Sequence, residues 1–421
     1  MVVEQAPPVR VAFYLSAFAG GGLERVTLCL MRGLIARGYA VDLVLERKQG
    51  DYLARIPASV RVVGLESGGK WRACRRLLRG WPREGLAQAI RMLTPKSRYI
   101  PLRRLSSLVD YIERTKPDVM IAAAGRVPFL EIWAARLAKH PVRTVIAEHS
   151  TLSARLDAFR RDAHAYRALR YRRHLMRRLY PAADALIAVS RGVAADVARE
   201  ARLSASRIEV IHNPVVDPAD LKNDAPSPDH AWFAPAQTEP VVLAAGRLAP
   251  EKDFAMLIEA VASARSRGCA LRLMILGEGP ERSRLEQRAR RLGIADAVAL
   301  PGWVDEPQGH MAHAAVFALS SRVEGLPVAL IEAMACGCPV VATDCPSGPR
   351  EILEDGRLGR LVPVGDERAM GEALCAALAE PPDRRALQTR AAEFAIEPAI
   401  DAYQRLIDRL IWIDLSTTTC D

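Results

Sequence analysis

The chain has no apolar run approaching the roughly 18–20 residues that a membrane-spanning helix needs. Its opening stretch, MVVEQAPPVRVAFYLSAFAGGG, lacks the basic region of a secretory signal, so RVAFYLS before glycines is expected to be a first strand and its loop. None of the eight cysteines (Cys29, Cys74, Cys269, Cys336, Cys338, Cys345, Cys375 and Cys420) forms a CxxC pair, which points to reduced thiols and away from disulfides or zinc. His310 and His313 make an HxxH with no supporting cluster, so no metal site is expected. Aromatic residues are only 5% of the chain while half of it is hydrophobic, which fits a globular α/β protein rather than disorder. No short repeat or low-complexity tract is evident.

What is there in excess is arginine, unevenly spread. The formal net charge is +10. Glu66–Arg104 carries eleven Lys/Arg against two acids, and Arg155–Arg178 nine Arg against two Asp, so the remainder of the chain is net acidic. In WRACRRLLRGW, the residues Trp71, Cys74, Leu77, Leu78 and Trp81 recur at about helical spacing with arginines between them. That pattern predicts an amphipathic helix lying on an anionic membrane surface. A nucleic-acid partner is not expected, because no helix-turn-helix, zinc finger or RNP-type aromatic motif accompanies the basic surface.

With 421 residues the chain exceeds one ordinary core and predicts two domains. Runs of Val, Ile, Leu and Ala alternate with Arg/Glu-rich helical patterns, the mark of βαβ units around parallel sheets. Strands are expected at Arg10–Ser16, 39–45, Asp118–Ala124, Arg143–Glu148, Ala183–Ser190 and Ile208–Pro214, with a helix near Leu23–Arg37 and a basic helical segment following the second strand. Residues 1–214 form the first domain in this reading, and the Pro/Asp/Ala-rich 215–239 the linker. A second βα series fills 240–395, with strands at Pro240–Leu248, Leu271–Gly277, Ala297–Gly302, Ala314–Ser320, Cys338–Thr343 and Leu358–Val364. A helical tail interrupted at Pro398 fills 396–421. Ligands of such folds bind where βα loops converge at the carboxyl ends of the strands.

Three loops carry candidate chemistry. Gly20–Gly22 stand between a strand and a helix, where backbone and helix dipole suit an anion. GLESGGK (Gly64–Lys70) nearly matches a P-loop, but Trp71 replaces the metal-binding hydroxyl, which rejects it. In GRLAPEKDF (Gly246–Phe254), Arg247 and Lys252 offer two cations at a strand end, suited to a diphosphate neutralised without a metal. In EGLPVALIE, Pro327 fits a first helical turn, Gly325 and Leu326 offer free N–H groups, and Glu324 and Glu332 flank them. Eight helical residues rotate through roughly 800°, so the two glutamates do not share one helix face. Carboxylates accept hydrogen bonds from vicinal hydroxyls, which suits a sugar and a ribose.

Taken together, GGGLE, GRLAPEKDF, LGEGPERSRLE, PGWV, EGLPVALIEAMACGCPVVAT and LGRLVP resemble the retaining glycosyltransferases of family 4, over nearly the whole chain. The resemblance implies the GT-B fold: two Rossmann-like domains facing across a cleft, with the C-terminal helix returning to the first domain. There is no DxD, which agrees with a metal-independent enzyme; no cofactor is implied. By position, Arg247 and Lys252 would bind the donor diphosphate, Glu324 the transferred sugar, Gly325 and Leu326 sugar and phosphate through N–H groups, and Glu332 the ribose. The backbone near Val304 would meet the base, the turn from Gly277 would lie beside the nucleotide with Gly246, and Gly21 and Gly22 would close the site. His149 matches a position that touches the donor sugar. Asn213, in HNPV, matches an interdomain asparagine, although many relatives have Asn-Gly there. SGPREIL (Ser347–Leu353) looks like the loop of members that build lipid-linked oligosaccharides, O-antigens and capsules. The implied partners are a nucleotide-diphosphate sugar, commonly UDP-linked, and a lipid-linked glycan acceptor at the inner face of the cytoplasmic membrane. A GDP-mannose-dependent mannosyltransferase and a non-catalytic nucleotide-sugar binder are the alternatives.

Overall fold

A computed structural model describes residues 7–19, 21–68, 70–80, 102–123, 125–221, 225–234 and 236–417. Gly20, Trp81 and Ala124, named above, lie outside these residues, as do 81–101 of the first basic segment and Cys420.

Two parallel sheets form. The first joins β1 (Arg10–Leu15), β2 (Ala40–Leu45), β3 (Arg61–Gly64), β4 (Val119–Ala123), β5 (Arg143–Glu148), β6 (Ala185–Ala188) and β7 (Ile208–Val210) in the order β3-β2-β1-β4-β5-β6-β7. The second joins β8 (Val241–Ala245), β9 (Arg272–Leu276), β10 (Val298–Gly302), β11 (Val316–Leu319), β12 (Val340–Thr343) and β13 (Arg360–Val362) in the order β10-β9-β8-β11-β12-β13. The central strands are apolar on both faces because helices cover both sides of a parallel sheet. Val11, Phe13 and Leu15 pack with one layer, Ala12 and Tyr14 with the other. This is the expected pair of Rossmann-like domains. β3 was not anticipated: Arg61–Gly64 is short and only partly buried at the sheet edge, so it lacks the apolar run that marks its neighbours.

Strand order reverses between β1 and β4 in the first sheet and between β8 and β11 in the second. At such a point adjacent βα loops diverge and leave a crevice. GRLAPEK follows β8 and EGLPVALIE follows β11, so the two most suggestive loops share the second sheet's crevice.

The chain passes between the domains twice, side by side. The Val215 and Val216 N–H groups donate to Phe394 O (3.0 and 3.1 Å), and Ile396 N–H donates to Val216 O at 3.0 Å. The helix Ile396–Thr417 then lies on the first domain as expected, burying Ile400, Tyr403, Leu406 and Ile407 against Phe13, Met31 and Leu34. Arg37 binds Glu397 and Asp401, and Arg409 binds Glu209 at 2.5 Å. The interruption expected at Pro398 does not occur, because Pro398 falls in the first turn, where its missing N–H has no intrahelical partner to lose.

The helix Lys70–Gly80 forms, but Cys74 and Leu77 of its apolar stripe face inward, a correction to the reading of that whole stripe as membrane-lying. Ala73, Cys74 and Leu77 join the first-domain core, and Arg72 and Arg76 pair with Asp110 (3.2 and 2.5 Å). Outward it presents Trp71, 80% exposed, with Leu78 and Arg75. No helix among the described residues is long and apolar enough to cross a membrane.

Candidate active site

The second-domain wall is built from three consecutive βα turns tied to one another. Gly246 N–H donates to Leu276 O, Leu248 N–H to Glu278 O, and Gly277 N–H to Gly302 O at 2.7 Å. Gly277 has φ +136°, and a Cβ there would lie 2.0 Å from Gly246 O, so only glycine lets the two turns touch. On this base Lys252 Nζ donates to Glu324 Oε1 at 2.6 Å, and Ser321 Oγ donates to the same oxygen at 2.6 Å. Ser320 Oγ in turn holds Lys252 O at 2.7 Å. The sequence pair from two separate motifs is thus one contact. Arg247 stands outside it, 67% exposed and paired with Glu251.

Pro327 caps the helix Val328–Ala335 rather than lying in its first turn, so Gly325 and Leu326 are loop amides, not helix N-terminal ones. Neither N–H has a hydrogen-bond partner among the described residues. Glu332, in that helix, meets Arg25 Nη1 at 2.5 Å, a partner from the first domain.

The first-domain wall begins at Gly21, just before the helix Gly22–Ala36, where Gly22 lies against Val328. Burial pushes the Glu24 carboxyl up from the usual carboxylate range, and Arg247 across the cleft pulls against it. His149 follows β5 and is half-buried; burial lowers its imidazole to about 4, so it is neutral at pH 7. Beneath it Arg172 Nη2 grips both Glu148 oxygens (2.7 and 2.6 Å), and Tyr180 OH donates to the same carboxylate, all fully buried. A charge pair out of water is retained only when such hydrogen bonds surround it, and here it fixes the strand end that carries His149.

The walls touch. A Cβ on Gly325 would lie 2.0 Å from His149 O, so glycine is what lets this loop approach. Ser190 Oγ and Ser347 Oγ both reach Gly325 O (2.9 and 3.0 Å) and stand 2.8 Å apart. Glu351 accepts from Arg191 N–H at 2.9 Å and meets His212 Nε2 at 3.0 Å. Burial raises the Glu351 carboxyl, but the bonds from His212, Arg191 and Gly192 outweigh it and hold the pKa below the usual carboxylate range. Asn213 is buried beside His212, and it is the histidine that makes this interdomain contact. At the far rim Trp303 packs edge-on against Tyr52 (6.2 Å between centroids), and Arg55 binds Asp305 at 2.5 Å, with the half-buried Val304 between them in sequence.

Lys252, Glu324, Gly325, Leu326, Gly246 and Gly277 therefore converge on the second domain, with His149, Gly21 and Gly22 opposite. Sequence reasoning missed Glu24, Arg25, Tyr52, Ser190 and the Glu148–Arg172–Tyr180 cluster. Glu24 had a signal, since it ends the quoted GGGLE; the others act through partners far away in the chain.

Comparison with known proteins follows the same lines. A family model described as Glycosyltransferase Family 4 matches residues 20–217, and one described as Glycosyl transferases group 1 matches 239–380. The chain is 34% identical over 213 residues to the Campylobacter jejuni N-acetylgalactosamine-N,N'-diacetylbacillosaminyl-diphospho-undecaprenol 4-alpha-N-acetylgalactosaminyltransferase, covering 51% of this chain and 56% of that one. It is 35% identical over 188 residues to the lipopolysaccharide core biosynthesis glycosyltransferase LpsE of Rhizobium meliloti, covering 42% and 53%. The chain thus spans about half the length of these curated relatives. In fold it is similar to Anabaena Alr3699/HepE, solved in complex with UDP and glucose, with TM-score 0.71, 18% identity, and 95% of this chain and 100% of that one covered.

Proposed function

We propose, from the premise that the chain belongs to the family 4 glycosyltransferases, that it transfers a hexose or N-acetylhexosamine from a UDP-linked donor to a membrane-associated, lipid-linked glycan, with retention and without a metal. The observation that carries this reading is the Lys252–Glu324–Ser321 contact at the point where strand order reverses, with Arg247 in the same loop as Lys252. A diphosphate competes with Glu324 for Lys252, and Arg247 adds a second cation; together they stabilise the charge that develops as the diphosphate leaves. Glu324, released from Lys252, accepts from the hydroxyls of the transferred sugar. The neutral His149 offers that sugar a hydrogen bond rather than a charge. Glu332 takes the ribose, the Val304 segment the base, and the Gly325 and Leu326 N–H groups phosphate and sugar.

In the transfer step the acceptor hydroxyl forms its bond to the anomeric carbon on the face the diphosphate leaves. The bond from that carbon to the phosphate oxygen breaks, and the hydroxyl proton passes to the leaving phosphate. The acceptor class is supported by the Campylobacter relative, whose own name specifies a diphospho-undecaprenol-linked acceptor. The exposed arginines Arg160, Arg161, Arg167 and Arg170, and separately Trp71 and Arg75, are the side chains that would meet an anionic bilayer at the cytoplasmic side.

A panel of UDP-glucose, UDP-galactose, UDP-N-acetylglucosamine, UDP-N-acetylgalactosamine and GDP-mannose, read by thermal shift and by transfer, tests the donor. At about 100 times its Kd the true donor adds about 2.7 kcal/mol. Response to GDP-mannose alone overturns the UDP assignment, and an inverted product linkage overturns retention.

A further inference from the structure

Among the described residues, the Gly325–Leu326 peptide is hydrogen-bonded through its carbonyl alone. Gly325 O lies within hydrogen-bond distance of Ser347 Oγ, from its own domain, and of Ser190 Oγ, from the other. Both serines are buried, so neither hydroxyl can exchange its partner for water. Ser190 is also the cap of the helix Arg191–Ala201 and accepts from Val193 N–H at 3.2 Å. Its one hydroxyl proton goes to Gly325 O or to Ser347 Oγ, 2.8 Å away, so the two hydroxyls hold the carbonyl as a linked pair. The approach is built on both sides: a Cβ on Gly192 would lie 2.6 Å from Ser347 Oγ.

A trans peptide is planar, so its C=O and the N–H of the next residue point in opposite directions. Fixing Gly325 O against the serines fixes Leu326 N–H in the direction away from them. A carbonyl that accepts also polarises its peptide and strengthens the N–H as a donor. We infer that Ser190 and Ser347 are positioning residues that aim the Leu326 N–H at the donor diphosphate, and that it is fully aimed only when the two domains are closed. The inference rests on the donor-site reading above. It adds to that site two hydroxyls that touch no substrate, one of them contributed by the opposite domain. Since both act on one carbonyl, their removals do not add.

Titration calorimetry of UDP, GDP, UMP and GMP on the full chain tests this, with Ser347→Ala as the primary variant because it leaves the helix cap in place, and Ser190→Ala and the double variant beside it. Whichever diphosphate the wild type binds, its affinity falls about tenfold in Ser347→Ala and in Ser190→Ala, the loss of one charge-assisted hydrogen bond. The double variant falls little further, and the corresponding monophosphate binds as before. Unchanged diphosphate affinity in variants that melt as the wild type does overturns the inference, and so does an equal loss for diphosphate and monophosphate, which a general loosening of the loop would give. A wild type that binds neither UDP nor GDP overturns the donor-site reading itself, and the inference with it.

Discussion

On the second-domain wall of the cleft, Lys252, Glu324 and Ser321 meet in two adjacent loops over a base of mutually bonded turns. On the first-domain wall, His149 has no such neighbours in its own loop; it rests on Glu148, which is gripped by Arg172 and Tyr180 from farther along the chain. One wall is organised by short loops at a strand-order reversal, with its Lys252–Glu324–Ser321 contact made within its own domain and Ser190 and Arg25 reaching it from the other. The other is organised from below, by a buried charge. The same residue type thus serves two ends: Arg247 on the second wall is exposed and held by Glu251 of its own loop, whereas Arg172 is buried against Glu148.

Removing Arg172 tests the sharper side of that contrast. Arg172→Ala leaves Glu148 buried and unpaired, and is expected to cost about 3–5 kcal/mol in urea unfolding. The paired Glu148→Gln/Arg172→Met should recover much of that, and a double variant as unstable as the single would contradict the account. On the other wall, Lys252→Ala should reduce transfer about 10²–10³-fold while the melting temperature stays near that of the wild type. A large loss of stability there would mean that the second wall, too, is structural.

His149 links the walls to pH. Its folded pKa of about 4 lies below the usual 6.5, so between these values the unfolded chain binds a proton that the folded chain refuses. Stability from this group therefore rises with pH across that window, is fully present above about 6.5, and is lost as pH falls toward 4, by roughly 3 kcal/mol. Unfolding free energies at pH 5 and pH 7.5 should differ less in His149→Gln; an unaltered slope would assign the pH dependence elsewhere. The smallest effect is expected at Trp71. Trp71→Ala should leave stability within about 0.5 kcal/mol, since the side chain packs on little, yet lower co-sedimentation with anionic vesicles. Equal sedimentation of both proteins would confine any membrane contact to the arginines of 160–170.

The strands of both sheets were legible because doubly covered parallel strands are written as apolar runs, and the donor wall because its loops are short and follow them directly. β3 was not, since an edge strand needs no such run. The stripe of Cys74 and Leu77 gave the right helix and the wrong side: periodicity states that a face is apolar, not what covers it. Ser190 and Arg25 gave no signal, because each acts through a residue of the other domain; Ser347 opens the quoted SGPREIL, but nothing local there marks a serine that reaches Gly325 O.

The helix Ile396–Thr417 has a consequence for how the molecule is made. It supplies part of the apolar cover over Phe13, Met31 and Leu34, yet it is synthesised after the whole second domain. In chain order that flank of the first domain therefore stays bare until the second domain, with its helices out to Ala392, has been made and this helix crosses back. The first domain is thus encoded in two pieces, and the second domain lies between them in the chain.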